Sequence, residues 1–328
     1  ALRTYPSSAP SSTVAGWLAQ GGVGFGAYQW GAFRENVVSC RAVLPSGEVR
    51  EFADDPTTSP DHHLDLISDA EGITGIITEV TLRVRPYEPE ALWGARFDSA
   101  AQLAAALQAI REAQVPLWSI SFVNPTMADI RNNLPPHREH GHVVEEHRPV
   151  LPEAYIAVFV APQSQKEAID GQFPDLVRAA GGTVADPDVI AHEWENRFNL
   201  MHGKRLGPST APSEVVVPLD NLGQVLQSLE QRINLPMLIE GMVTRHPGSG
   251  ADDDVTLLGF ILHDERTFTF NFAFGLALSV LKVAKEEGGR AYATGLYFTN
   301  EADHVLGVER VQRLRRFKAQ IDPQGLFN

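Results

Sequence analysis

From Thr4 to Phe33 the chain carries no charged residue, and glycines stand at 16, 21, 22, 24, 26 and 31. Lack of charge marks the stretch for burial. The glycines forbid the long helix that would bury it simply, because each one inside a helix costs about 1 kcal/mol relative to alanine. They also dilute the hydrophobicity below that of a bilayer span. A second uncharged run, Thr267 to Leu281, is too short to cross a bilayer and reads as a buried helix. No membrane span is expected, and the opening segment should run as loops and short turns laid against a folded body.

That body is large. At 328 residues the chain exceeds what one ordinary core organises, so two domains are expected. Hydrophobic residues make up 43% and charged ones 21%, too apolar a balance for disorder. A net charge of −14 repels phosphate backbones and anionic headgroups, which argues against nucleic acid or membrane-surface partners. Cys40 is the single cysteine, so the chain by itself builds neither a disulfide nor a thiolate-held iron–sulfur or zinc site. The chain opens at Ala1 without a leader-like pattern, which gives cytoplasm as the expected compartment, and both ends read as cut points.

After the glycine-rich opening, Val37 to Leu44 reads as a strand, Pro45-Ser46-Gly47 as a turn and Glu48 to Phe52 as the hairpin partner. Ile73 to Val84 alternates like a further strand, and Pro86 and Pro89 follow it. Beyond lies a strand, helix, strand pattern: Leu92 to Phe97, Ser99 to Ala113 and Leu117 to Val123. It repeats as Ala154 to Ala161, a helix near Lys166 to Ala180, and Thr183 to Ala185. A third round has Ser213 to Pro218, a helix from Asn221 to Ile233, and Met237 to Thr244 pairing with Thr256 to His263. The fourth has a helix from Phe268 to Glu287, a strand from Ala291 to Phe298 and a terminal helix from Asp303 to Ala319. Residues 90–328 are thus expected to form four α+β rounds on one antiparallel sheet.

The run Gly21-Gly22-Val23-Gly24-Phe25-Gly26-Ala27 contains a formal G-x-G-x-x-A. Missing Cβ atoms let backbone N–H groups approach phosphate oxygens, although tight turns alone account for such a composition. A dinucleotide fingerprint needs a strand before and a helix after; Glu35 to Val43 reads as loop and strand, against that fold. A second run, Glu71-Gly72-Ile73-Thr74-Gly75-Ile76-Ile77-Thr78-Glu79, is a glycine turn feeding a strand. With Ser12-Thr13-Val14-Ala15-Gly16-Trp17, Glu35-Asn36-Val37 and the hairpin Val43-Leu44-Pro45-Ser46-Gly47-Glu48-Val49, these runs resemble the FAD-linked oxidases of the vanillyl-alcohol oxidase, or PCMH-type FAD-binding, superfamily. The nearest branch is that of the glycolate oxidase D-subunit and D-lactate dehydrogenase proteins. The closing run Lys318 to Asn328 and the Trp-x-x-Arg at Trp194 to Arg197 are similar to that family too.

The resemblance implies an α+β fold. Residues 1–88 would be the second half of a PCMH-type FAD-binding domain, the first half being missing. Residues 89–328 would be a cap domain with an antiparallel sheet flanked by helices, its terminal helix returning to the FAD domain. It implies FAD as cofactor. By motif position Thr13, Ala15, Gly16, Gly21, Gly22 and Gly24 would approach pyrophosphate or flavin, Gly72, Gly75, Ile76 and Ile77 would line the nucleotide, and Tyr28 with Trp30 would flank the ring. Core packing explains an aromatic equally well. The activity implied is oxidation of a small 2-hydroxy acid such as glycolate or D-lactate, or a related alcohol, by hydride transfer to flavin N5. Electrons would pass to an iron–sulfur partner subunit or segment, and the isolated chain is expected to be inactive. A non-catalytic subunit keeping the same fold is the alternative.

This chain departs from the branch, whose histidine-rich strand reads here Ile239-Glu240-Gly241-Met242-Val243-Thr244-Arg245 and whose Glu-His-Gly is replaced within Gly288 to Gly295. No metal is therefore expected. Hydroxyl oxidation still needs a proton acceptor and cations for a carboxylate. Arg197 and Arg205, at helical spacing around Met201 with His202 and Lys204 nearby, are the candidate carboxylate clamp; a solvated basic helix end accounts for the same pattern. His246 and His263 are candidate bases, though surface or core histidines are commoner. His137, His140, His142, Glu145, Glu146 and His147 fit no metal-site spacing and read as a solvated loop, Asp252-Asp253-Asp254 as a charged hairpin tip, and Arg310, Arg313, Arg315, Arg316 and Lys318 as favouring a helix C-terminus.

Overall fold

A computed structural model describes residues 1–55, 57–135, 138–140, 142–143, 148–199, 209–246, 252–264, 266–267, 270–295 and 297–327. The uncharged opening contains two short helices among its turns. Thr13 caps α1 (Val14–Gln20) by accepting the Gly16 N–H, and Gly21, at φ 76°, ends it. A single turn, α2 (Ala27–Trp30), lies between Gly26 and Gly31, both with positive φ. The segment then forms a small antiparallel sheet of β1 (Val37–Val43), β2 (Val49–Ala53) and β3 (Ile76–Leu82), in the order β2-β1-β3. The hairpin turns at Gly47, φ 85°, and pairs Val43 with Val49. β3 starts three residues later than the apolar pattern suggests, because Asp69, Glu71 and Gly72 all adopt positive φ in a compact turn.

The second sheet takes its strands from the rest of the chain. In order come β4 (Glu90–Phe97), α3 (Ala100–Glu112), β5 (Ser119–Val123), α4 (Pro125–Asn132), the small hairpin β6 (Arg138–Glu139) and β7 (His142–Val143), and β8 (Tyr155–Pro162). Next are α5 (Lys166–Asp170), α6 (Phe173–Ala179), β9 (Thr183–Val184), α7 (Pro187–Glu195), β10 (Ser209–Pro212), β11 (Val215–Pro218) and α8 (Leu222–Arg232). Last are β12 (Met237–Thr244), β13 (Asp254–His263), α9 (Phe270–Glu286), β14 (Arg290–Ala291), α10 (Ala302–Leu306) and α11 (Val308–Ile321). The order is β14-β11-β13-β12-β5-β8-β4-β9, with β10 also on β13, and every pairing is antiparallel.

Three expected elements differ. The helix from 166 to 180 is broken at Gly171-Gln172 into α5 and α6. The strand expected from Ala291 to Phe298 is β14 alone, since its partner β11 offers pairing only to Arg290 and Ala291. The terminal helix breaks at Gly307, φ 84°, into α10 and α11.

Because strand side chains alternate in direction, each face of the large sheet has its own core. One face, with Ile239, Val243, Leu257 and Ile261, packs on α3, α6, α8 and α9. The other, with Leu238, Met242 and Leu258, packs on α4, α7 and the opening segment through Phe25, Val23 and Tyr5. A third core, under the small sheet, takes Trp17, Leu18, Phe33 and Phe52 from the first residues and Phe317 from α11.

Candidate active site

A cleft of about 150 Å³ opens between one end of the large sheet and the loops and turns that follow α1 and precede β3. Its walls are Gly21 to Val23 after α1, the turn at Asp69 and Glu71, the ends of β11 to β14, and the start of α11.

Glycine is required along the first wall by the chain's own packing. A Cβ on Gly22 would overlap the Trp17 indole, one on Gly21 the Asp69 carboxylate, and one on Gly24 the Tyr5 carbonyl. Val23 leaves its N–H for the Tyr292 hydroxyl, at 2.9 Å. The neighbouring turn is strained: Asp69 and Glu71 hold φ of 47° and 50°, outside the favoured region for residues with side chains. Two backbone bonds to the end of α1 fix it there, Asp69 N–H to Leu18 O at 3.0 Å and Glu71 N–H to Ala19 O at 2.7 Å. The strained turn thereby aims two carboxylates at the cleft. Asp69 pairs with Arg310 at 3.0 Å, and Glu71 accepts from the Thr294 hydroxyl and, at 2.7 Å, the Gly295 N–H.

The opposite wall holds a charge chain. His246 follows β12, with Nε2 3.4 Å from Asp254 Oδ2 and Nδ1 3.8 Å from Glu35. Arg290 Nη2 lies 3.7 Å from the same Asp254 oxygen. The hydrogen bond to Asp254 raises the His246 pKa above the ordinary value; burial opposes it, and Glu35 and Asp253 add to it. The Tyr292 hydroxyl is pushed up by burial first, with the negative charge of Glu214 adding. It accepts from Val23, so its own O–H remains to donate into the cleft. Thr244 and Thr256 are each 1% exposed, line the cleft, and have hydroxyls without a partner among the described residues.

Of the residues singled out in the sequence, Gly21, Gly22 and His246 come together here. Gly72 lies beside Glu71 with open space where a Cβ would stand, while Gly75 is packed against Ile67 and the Val43 carbonyl. Thr13, Ala15 and Gly16 belong to the capped start of α1. Ile76 is exposed and Ile77 buried under β3. Tyr28 sits in the core facing the helices, with the Arg245 guanidinium 5.4 Å from its ring. His263 is at the far end of β13 on that same helix face, against Phe274, and apart from His246. Arg197 stands just beyond the C-terminus of α7. Its guanidinium lies 4.2 Å from the Trp194 ring and 4.4 Å from that of Phe198, and Nε donates to Tyr5 Oη at 3.3 Å. Arg205, with Met201, His202 and Lys204, lies outside the described residues, as do His137, Glu145, Glu146 and His147. Among the described residues no three metal-ligand side chains gather, and no helix is long and apolar enough to cross a membrane.

Sequence reasoning missed Tyr292, Arg290, Thr244, Thr256 and Glu71, each a lone polar residue in an otherwise ordinary strand or turn. The signal available was the polar interruption of apolar strand positions at Thr244 and Thr256.

Comparison with known proteins fits this geometry. Residues 1–53 match the FAD binding domain family, and residues 87–265 match the C-terminal domain of FAD linked oxidases. A probable mitochondrial D-lactate dehydrogenase of Danio rerio is 23% identical over 97% of this chain and 64% of its own length. The mitochondrial D-lactate dehydrogenase [cytochrome] of Arabidopsis thaliana is 22% identical over 97% of the chain and 56% of its own. The chain therefore spans about three-fifths of the curated relatives it matches. Among solved structures, alkyldihydroxyacetonephosphate synthase superposes with a TM-score of 0.68 at 17% identity, covering 100% of this chain and 59% of that one, which fixes the PCMH-type fold.

Proposed function

Because the chain belongs to the FAD-linked oxidases, whose cofactor is FAD, we propose that it forms one wall of the flavin site and the cap of an oxidoreductase acting on a small 2-hydroxy acid. The observation that carries this reading is the meeting, in one cleft, of a glycine-built loop, a strained turn and a histidine held by a carboxylate. The residues present fit the cofactor: Gly72 has open space where a Cβ would stand, which allows close approach of its backbone to a planar polar group. Gly21, Gly22 and Val23 on one wall, and Glu71 and Gly72 on the other, are the residues that would hold it. Bound flavin supplies a hydride acceptor.

His246 is the proton acceptor for the substrate hydroxyl, and Asp254 orients its ring and stabilises the imidazolium it becomes. A two-electron oxidation of this kind needs an onward acceptor; with Cys40 as the single cysteine, an iron–sulfur acceptor would belong to another subunit or segment. The D-lactate dehydrogenase names of the two relatives support a 2-hydroxy acid over a plain alcohol.

Titration of the purified chain with FAD, followed by the flavin's visible spectrum, tests the reading. Saturable perturbation is expected, weakened at least tenfold by Gly22→Ala, whose Cβ would displace Trp17. A wild-type chain that leaves the spectrum unchanged at high FAD would overturn it.

A further inference from the structure

The cleft has more hydrogen-bond donors than the chain itself uses. Arg290 carries five N–H groups, yet its recorded partners are the Ala291 carbonyl at 3.4 Å and Asp254 at 3.7 Å, the latter too long for a direct hydrogen bond. Tyr292 has its O–H to give, and Thr244 and Thr256 are buried on one face of β12 and β13 without partners among the described residues. Thr256 pairs directly with Met242, so Thr244 is its diagonal neighbour on the same face, two residues further along β12. The other charged groups are engaged within the protein: Arg310 with Asp69, Glu71 with Thr294 and Gly295. The two threonine hydroxyls are buried donors without acceptors, which is costly, and the Arg290 guanidinium is part-exposed with N–H groups to spare, so a site of this kind suits a ligand rich in acceptor oxygens.

We infer that Arg290, with the Thr244 and Thr256 hydroxyls, is the substrate-recognition set, Arg290 taking the carboxylate and the threonines the adjacent oxygen of a small 2-oxygenated acid. This rests on the oxidoreductase reading and assigns the clamp to a residue other than Arg197, whose guanidinium is occupied by its aromatic neighbours and Tyr5. A planar guanidinium suits a carboxylate because it can donate two parallel bonds, which a lysine cannot reproduce.

The test uses two acids that cannot lose a hydride: oxalate, with oxygens on adjacent carbons, and acetate, with a carboxylate alone. Each is titrated into the FAD-loaded chain by calorimetry and flavin absorbance. Arg290→Gln should weaken both about tenfold or more, with partial recovery in Arg290→Lys. The double change Thr244→Val, Thr256→Val should weaken oxalate and leave acetate nearly unchanged, with FAD binding retained throughout. Undiminished oxalate binding in Arg290→Gln overturns the assignment, as does loss of FAD binding in that variant, which would make Arg290 a cofactor contact. A wild-type chain that takes FAD but neither acid also overturns it. Failure of the wild-type chain to bind FAD at all overturns the underlying oxidoreductase reading instead.

Discussion

His246 does its work through its neighbours. Its raised pKa comes first from the hydrogen bond to Asp254, so the ring holds its proton to higher pH than a free histidine. A proton acceptor must be neutral, and oxidation should therefore fall as pH drops through that raised value. Asp254→Asn removes the largest cause of the shift: the acid limb of kcat/KM should move to lower pH, while the plateau falls about tenfold or more as the ring loses its orientation. A pH profile whose acid limb stays in place would detach Asp254 from His246. The stability effect has the opposite sense. A histidine stabilised in its charged form contributes fully below its unfolded pKa, and the contribution is lost as pH rises through the folded value. His246 could be singled out from the sequence because imidazole is the side chain suited to accept a proton near neutral pH. Asp254 was hidden in a run of three aspartates that reads as a hairpin tip, and only the strand register shows that it opens β13 facing the cleft.

At the scale of elements, what the sequence made legible was alternation. β12 and β13 pair as expected from apolar residues on both faces and a polar connection between them. The same strands carry a polar residue that alternation does not explain: Glu240, 3% exposed, points to the face packed on α4 and α7. Burial pushes its carboxyl up to about 7; Arg131 and the Ser7 hydroxyl pull it back, Glu193 adds to the rise, and one oxygen is without a partner among the described residues. Arg131 is committed to Glu193 by an ion pair, which explains why it does not hold Glu240 ionised. An acid protonated in the folded state to higher pH than in the unfolded one gives stability that is full below its ordinary value of 4.5 and is lost as pH rises towards 7. The loss for Glu240 is roughly 3 kcal/mol by linkage. Glu240→Gln, which keeps the shape and stays neutral, should flatten the fall in urea-unfolding free energy between pH 5 and 7 by an amount of that order. Glu214, also raised to about 7 by burial, would keep a residual slope. A slope identical to wild type would show that Glu240 is ionised in the folded protein. The short elements were illegible for a related reason. β14 is decided by a partner distant in sequence, which local pattern does not register, whereas the breaks fall at Gly171 and Gly307, a local signal that apolar periodicity alone passes over.

Across the whole molecule the two ends of the chain exchange places. The opening residues lie on the large sheet, where the Trp118 indole donates to Arg3 O at 2.9 Å and Tyr5 packs in the shared core. The closing helix α11 lies on the small sheet, where Phe317 meets Phe52 edge to face. Its basic residues, which the sequence suggested would favour a helix C-terminus, are partly used elsewhere. Arg310 and Arg313, in the first half of α11, converge with Arg34 on Asp65, and Lys318 donates to Ile73 O at 2.8 Å. Burial alone would raise the Asp65 pKa; Arg34, Arg310, His63 and Arg313 together hold it below the usual carboxylate range. That interaction is present above the unfolded aspartate pKa and lost as pH falls through the lower folded one. Asp65→Asn should cost about 2 kcal/mol at neutral pH, since it leaves partly buried guanidiniums facing a neutral group, and should blunt the acid-induced loss of stability. Because α11 also presents Arg310 to Asp69, loosening it should slacken the strained turn on the cleft wall and lower FAD affinity along with stability. Urea unfolding and FAD titration on the one variant separate the possibilities. A drop in both quantities means that the closing helix braces the cleft, and a drop in stability alone means that the turn is held by α1 without it.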